Sequence, residues 1–540
     1  MHPYVAEQFT DEEAAILRRY VTNLDQPVFA LVNLPEVVKG ALFARYSRSP
    51  KSLRRLFLDE FVDDLDLSGD ESFDATVGLR RAEELYERVF YEYGDDSVAQ
   101  LGGVHLACEQ SSNLLTKILE WGRLMSYLEQ STRYLAYDQR LTSGHYRYYR
   151  PPAVLDSPLG ARYVGDLDRM FDTYGELLGS MQSYLHGRHQ KTPGDSDFVH
   201  RQAVRAKALD AVRGVLPAAS LSNVGIYGTG QGYEQLLLRM RAHPLPEARA
   251  YADLMLTELR KVIPSFLRRV DVPDRGGAWS DYLTTTREST ARAVERLFPQ
   301  GIVEEPTTTE VRLLDFDPAG EEKVLAAACF AHVAGSEAAV AERIRALDVE
   351  ERAALLMAYV GERDNRRHRP GRAFERTDYR FELVTDYGAF RDLQRHRLLT
   401  VEWQPLGCQL GADVPEVVDE AGCEPVFTGT LERSRELYDA IRAHLPDEAG
   451  YAVALAYRIR YVLQLNAREA MHVLELRSGP QGHPAYRRVA QEMHRQIAEV
   501  AGHRGIAAAM RHVDYSDTDL ERLEGERRAE ARRSLRGLSG

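Results

Sequence analysis

The chain has 540 residues, more than one hydrophobic core usually serves, and its hydrophobic (44%) and charged (28%) fractions are those of a globular protein of two or more domains. A net charge of −13 argues against a nucleic-acid polymer as main partner, since such binding rests on a broad basic face, but a local cluster of arginines could still grip a small anion. No apolar run reaches the roughly 18 residues of a membrane span, so no membrane partner is expected. The N-terminal "MHPYVAEQFTDEEAAILRRY" lacks the apolar centre of a secretory leader, so a cytoplasmic location is expected. Four dispersed cysteines (Cys108, Cys329, Cys408, Cys423) form no C-x-x-C pair and read as reduced thiols. From Asp64, "DLDLSGDESFDA" starts like a calcium loop, but its last position is Ala75 where a bidentate Glu is required, and no metal is expected.

Further along, "EWGRLMSYLEQSTRY" (Glu120 to Tyr134) packs Ser126, Glu129, Ser131, Arg133 and Tyr134 together. Such a group could grip a phosphate or a polar base edge, or it could be a helix end running into a polar turn. Lys117 and Trp121, four apart, would share one face of the helix leading into it. Within Ala136 to Arg201, "GHYRYYRPPAVLDSP" and "HGRHQKTPGDSD" read as a loop-rich insertion. "VRGVLP" then carries Arg213, and "GTGQGYEQLLLRMR" places glycines ahead of a helix with no clear strand before it. Tyr251, Leu254, Met255, Leu259 and Val262 recur at helical spacing until Pro264. Arg269 to Glu310 concentrates Pro, Gly, Thr and charge and reads as an interdomain connection, with the boundary at about 300.

Beyond the boundary, "RRHRPGR" (Arg366 to Arg372) reads as a basic surface loop, and "YRFELVTDYG" (Tyr379 to Gly388) alternates as a strand does. With helical periodicity dominant, the class is α+β and helix-rich. "LQRHRLLTVEWQPLG" (Leu393 to Gly407) presents Arg395, His396 and Arg397, and Arg391 would share a helical face with Arg395. A planar guanidinium suits dinucleotide phosphates and the electron-rich edge of a reduced flavin, although an R-H-R tripeptide alone also suits a solvated surface. "NAREAMHVLELRSGP" puts Arg468 and His472 on one face of a helix, with Asn466 before it and Arg477 in its last turn, where a cation also complements the helix dipole. His472, His483 and His494 are evenly spaced, but the intervening Gly479, Pro480, Gly482 and Pro484 break any helix that would align them on a metal.

The segments on either side of the boundary correspond in order, Arg123 with Arg397 and Arg241 with Arg477, so a tandem repeat is expected: 1–300 with an N-terminal extension and insertion, then 301–540.

These motifs resemble those of the flavin-dependent thymidylate synthase family, R-H-R-x-x-S-x-N-E-x-S-x-R-Y followed by A-R-x-V-L-P and N-x-R…R. In the first copy Arg123, Ser126, Glu129, Ser131, Arg133 and Tyr134 match, Trp121, Gly122 and Leu128 depart, and "VRGVLP" supplies Arg213. In the second, Arg395, His396, Arg397, Asn466, Arg468 and Arg477 match, Glu375 fits an upstream carboxylate, and Glu402, Trp403, Pro405 and Gly407 depart. Each copy has lost what the other keeps, which implies one composite site; plain decay of a duplicate is the rival account. The resemblance implies C5 methylation of dUMP, with FAD as cofactor and NADPH and methylenetetrahydrofolate as co-substrates. It gives Ser131 and Arg477 to catalysis. Glu129, Ser131, Arg133, Arg213, Arg395 and Arg477 fall to the uridine nucleotide. Glu375, Arg395, His396, Arg397, Asn466, Arg468 and His472 fall to the flavin. It also implies a homodimer holding four repeats. A catalytically silent flavin- or nucleotide-binding homologue, and a C5-modifying enzyme for another pyrimidine nucleotide, stay open.

Overall fold

A computed structural model describes residues 4–62, 100, 102–299, 302 and 310–537; the stretch from Asp64 to Ala75 lies outside them. Among the described residues the protein is helix-rich with two four-stranded antiparallel sheets. No helix is long and apolar enough to cross a membrane. The strands are β1 (Val28–Leu31), β2 (Gly103–Ser112), β3 (Met125–Glu129) and β4 (Leu221–Thr229), then β5 (Val311–Phe316), β6 (Asp378–Asp386), β7 (Thr400–Trp403) and β8 (Arg458–Asn466). The helices that matter for the site, in chain order, are α1 (Asn113–Leu119), α2 (Gly160–Arg188), α3 (Asp197–Val212), α4 (Gly230–Arg241), α5 (Pro246–Arg260), α6 (Ala278–Leu297), α7 (Tyr387–Leu393), α8 (Glu424–Arg442), α9 (Ala467–Arg477) and α10 (Pro484–Glu499).

The sheets repeat one topology, β1-β2-β4-β3 and β5-β6-β8-β7. In both, the second strand runs straight into a short helix and the fourth into a longer one. Each junction is capped by a side chain of the type that competes well for free helix N–H groups: Ser112 and Asp386 on α1 and α7, Thr229 and Asn466 on α4 and α9. Alternation makes β8 one-sided and holds in β6 as far as Leu383, after which Val384, Thr385 and Asp386 are buried in succession. Tyr379, Phe381 and Leu383, with Ile459, Tyr461, Leu463 and Leu465, are buried, whereas Arg380 and Gln464 face outward. Helix α10 covers this sheet with Tyr486, Val489, Met493 and Ile497. Its Gln496 accepts from Leu313 N (2.7 Å) and donates to Val311 O (2.9 Å), supplying the open edge of β5 with a strand-like partner.

Two compact units result. Unit 1 comprises Met1–Asp172, Leu216–Glu304 and Arg433–Ala452; unit 2 comprises Thr173–Val215, Glu305–Glu432 and Val453–Gly540. The sheets lie on either side of residue 300, but each unit takes one stretch from the other half of the sequence. In unit 2, α3 is held by Lys207 on Glu521 (2.5 Å) and Asp210 beside Arg522 (3.7 Å). In unit 1, Tyr451 O accepts from Ala219 N (3.0 Å) and the Tyr451 hydroxyl donates to Glu247 (2.7 Å).

Several local expectations are corrected. The two stretches quoted as loop-rich, 144–158 and 186–197, are irregular for most of their length, but the 29-residue α2 runs between them and α3 follows, carried by apolar periodicity. The expected linker contains the 20-residue α6, because no Pro or Gly interrupts the chain from Ala278 to Leu297. Helices α1 and α7 stop at Leu119 and Leu393, so neither Trp121 nor Arg395 shares a helical face with its expected partner. Ser126 and Glu129 stand on strand β3, and of the glycines expected ahead of a helix, Gly228 is next to last in strand β4 while Gly230 and Gly232 form the first turn of α4.

Candidate functional site

In unit 2 the turn after α7 carries Arg395, His396 and Arg397 toward one face of α9. Asn466 caps that helix by accepting from Glu469 N at 2.9 Å, which engages its Oδ1 with the backbone. His396 is buried; its Nε2 accepts from Arg477 Nε at 2.9 Å, its Nδ1 lies 3.7 Å from Glu469, and its ring meets His472 edge-on at 5.4 Å. Arg369 donates to His472 Nδ1 at 2.8 Å. Arg468, the neighbour of Glu469, reaches Pro370 O (3.0 Å) and Glu375 (3.4 Å).

Ligand atoms of His396, Glu469 and His472 lie close enough together to surround a metal ion. The arginines argue for a different chemistry. A guanidinium can only donate, so each histidine must accept at the nitrogen facing its arginine and carry its proton on the other. His396 then turns Nδ1–H toward Glu469, and His472 keeps Nε2–H: two donors where a cation would need lone pairs. Burial, reinforced by Arg477 and Arg369, holds His396 well below the usual imidazole range and brings His472 down to about 4. Burial raises Glu469 to about 7 against the pull of Arg369, Arg468 and Arg397. At neutral pH both imidazoles are then uncharged, and Arg369, Arg397, Arg468 and Arg477 outnumber the carboxylates Glu375 and Asp392 around them, with Glu469 part-ionised. Such a set fits a ligand rich in carbonyl acceptors and negative charge, as a flavin with its pyrophosphate is.

Behind His396, Arg477 Nη1 lies 3.5 Å from Asp392 Oδ1, and Arg213 Nη1 lies 3.8 Å from Asp392 Oδ2. Arg213 comes from the first half of the sequence but belongs to unit 2. It is 4% exposed, and its Nη2 makes no hydrogen bond. Gly388 permits the approach: a Cβ there would stand 2.8 Å from Asp386 Oδ1 and 2.9 Å from Arg213 Nη2. Burial raises Asp386 to about 6, with Arg213 opposing. The positive charge of Arg395 bears on Arg477. Beside Arg213 opens a cavity of about 550 Å³ whose walls include Asp386, Asp413, His483, Arg487 and Arg488.

Unit 1 holds the other expected residues in different settings. Glu129 is buried and bound by Lys117 Nζ at 3.1 Å, which also binds Glu120 at 2.5 Å. Arg133 is buried, with its N–H donating to Ser131 Oγ (3.2 Å), and Ser126 and Arg123 are exposed. Where unit 2 has His396, unit 1 has Gly122, whose carbonyl accepts from the Tyr127 hydroxyl (3.2 Å); Arg239 lies over the Trp121 ring at 5.4 Å.

Sequence reasoning passed over Asp392, Glu469 and Arg369. Glu469 could have been found from its place three residues before His472 on α9. Arg369 does lie on an exposed loop, as the basic run Arg366 to Arg372 suggests, but the run itself carries no sign of the contact to His472. Asp392 carried no local signal, since its partners stand far away in the chain.

The family described as thymidylate synthase complementing protein matches residues 43–265 and 312–502. The chain belongs to this flavin-dependent thymidylate synthase family. The two matched stretches agree with a tandem arrangement, one containing the sheet of unit 1 and the other that of unit 2. A UPF0159 protein of Chlamydia muridarum is 39% identical over 528 residues, covering 97% of this chain and 99% of its own length. Another from Chlamydia pneumoniae is 39% identical over 533 residues, covering 97% and 98%. One from Thermoplasma acidophilum is 32% identical over 515 residues, covering 90% and 97%. Relatives matched over nearly their whole length therefore occur in other organisms, under names that state no activity.

Proposed function

We propose that the protein is an FAD-dependent enzyme of the thymidylate synthase type, methylating dUMP at C5 with methylenetetrahydrofolate as carbon donor and NADPH as reductant. The observation that carries this reading is the convergence in unit 2 of Arg213 from the first half with Arg395, His396 and Arg477 from the second. FAD would supply the redox step of the reaction. His396, Arg397, Arg468 and His472 would hold it through donors whose direction the neighbouring groups fix, with Glu375 orienting Arg468. Arg213, Arg395 and Arg477 would orient the nucleotide, and Arg477, which also donates to His396, would link the two ligands. Asn466 contributes through the helix it caps. The reading includes a cytoplasmic homodimer holding four repeats.

The buried Lys117–Glu129 pair and the closed Trp121–Gly122 turn favour a second reading for unit 1, a structural copy that binds no flavin of its own. Purified protein should be yellow, with an absorbance spectrum that changes on adding dUMP, and should release isotope from C5 of labelled nucleotide. Arg397→Ala and Arg468→Ala should each weaken FAD by about ten- to a hundredfold, and Arg123→Ala by less. Equal losses from Arg123 and Arg397 would refute the asymmetric assignment. Flavin binding without isotope release would leave a silent flavoprotein. Arg133→Ala tests whether the S-x-R of unit 1 contributes to nucleotide affinity.

A further inference from the structure

Two of the arginines assigned to the nucleotide already share a carboxylate. Asp392, in the last turn of α7, stands 3.8 Å from Arg213 and 3.5 Å from Arg477, each contact running to a different carboxylate oxygen. At 3.8 Å the contact to Arg213 lies beyond hydrogen-bonding range and at 3.5 Å the contact to Arg477 lies at its limit, so the carboxylate acts on the guanidiniums mainly through its charge. Arg213 shows this directly, because its buried Nη2 has no hydrogen-bond partner while its charge is shared with Asp392 and bears on Asp386. An open donor with compensated charge, as on Arg213, suits a neutral acceptor such as a carbonyl or hydroxyl. A phosphate dianion gripped by the same pair would lie against Asp392, and like charges that close repel strongly where little water separates them. Arg395 adds positive charge on the Arg477 side, which lessens this opposition without removing the carboxylate.

We propose that Asp392 is a specificity-determining residue of this site: an internal carboxylate that weakens the grip of Arg213 and Arg477 on a phosphate dianion and shifts preference from a pyrimidine nucleoside monophosphate toward the same nucleoside without its phosphate. The inference rests on the reading that these arginines face the substrate.

The test is calorimetric titration of dUMP, deoxyuridine and inorganic phosphate into the FAD-loaded full chain, comparing wild type with Asp392→Asn and Asp392→Gln. Melting temperatures show whether each variant is folded. Either amide variant should bind dUMP about tenfold more tightly and gain affinity for inorganic phosphate, with deoxyuridine unchanged. Adding Arg213→Ala to the variant should cancel the gain. An unchanged or lower dUMP-to-deoxyuridine preference in both amide variants would overturn the proposal. If neither nucleoside nor nucleotide binds any form, the substrate reading of the site fails. The phosphate titration then decides the role of Asp392 alone, a gain upholding it as an anion filter and no gain rejecting it.

Discussion

Arg363 is fully buried, donates both terminal nitrogens to Glu475 at 2.7 Å, and reaches Ala509 O (2.7 Å) and His368 O (2.5 Å). It thereby ties the loop bearing Arg369 to helix α9, the helix that presents His472. Removing one partner of a buried pair strands the other charge, so Arg363→Ala should cost roughly 3–5 kcal/mol in urea-unfolding free energy. It should also weaken flavin binding by releasing Arg369. Little of this was legible in the sequence, where Arg363 is one basic residue among many and Glu475 is distant in the chain. What could be read at this scale was the spacing of Asn466, Arg468, His472 and Arg477, because a helix converts spacing into position. The ion pairs of Arg213 could not be read, because tertiary contacts alone create them.

Element by element, the strands were readable where one face is buried, as the alternation of Tyr379, Phe381 and Leu383 shows. Helix ends were not, because α1 and α7 stop after two turns while polar residues with adequate helix propensity follow. The first turn of α7 also sets a steric limit. A methyl group at Gly388 would press on Asp386 and Arg213 inside ordinary contact distance. Gly388→Ala should therefore cost about 1–3 kcal/mol through overpacking. By displacing Arg213 it should also lower dUMP affinity more than FAD affinity, which parallel titrations of the two ligands would reveal.

At the scale of the molecule, the repeat was visible in motif order, while the exchange of stretches between units was not, since no local pattern marks a helix for one partner over another. Glu247 belongs to the exchanged architecture of unit 1. It is buried, accepts from Ser112 N (2.9 Å), Ser112 Oγ (2.6 Å) and Tyr451 (2.7 Å), and burial raises it to about 7. A carboxyl raised on folding favours the folded state most below its unfolded value and loses that advantage as pH rises through its folded value. Glu469, also raised, acts with the same sign, and His472, lowered to about 4, with the opposite sign. Comparing Glu247→Gln with wild type isolates the one group. The stability difference between them should shift in favour of the variant as pH rises from about 4.5 to about 7, then level off, in denaturant melts across that range.

The reciprocal loan of Thr173–Val215 and Arg433–Ala452 has a genetic consequence. A duplicated gene normally leaves a spare copy that can be lost, but once each copy completes its sister, deletion of either removes part of both. Residues 1–300 expressed alone would lack the Tyr451 that closes on Glu247, and 301–540 alone would lack Arg213. Each should be insoluble or molten by near-ultraviolet circular dichroism, whereas co-expression of the two should restore folded protein. The doubling thus works as an evolutionary ratchet, passable in one direction only.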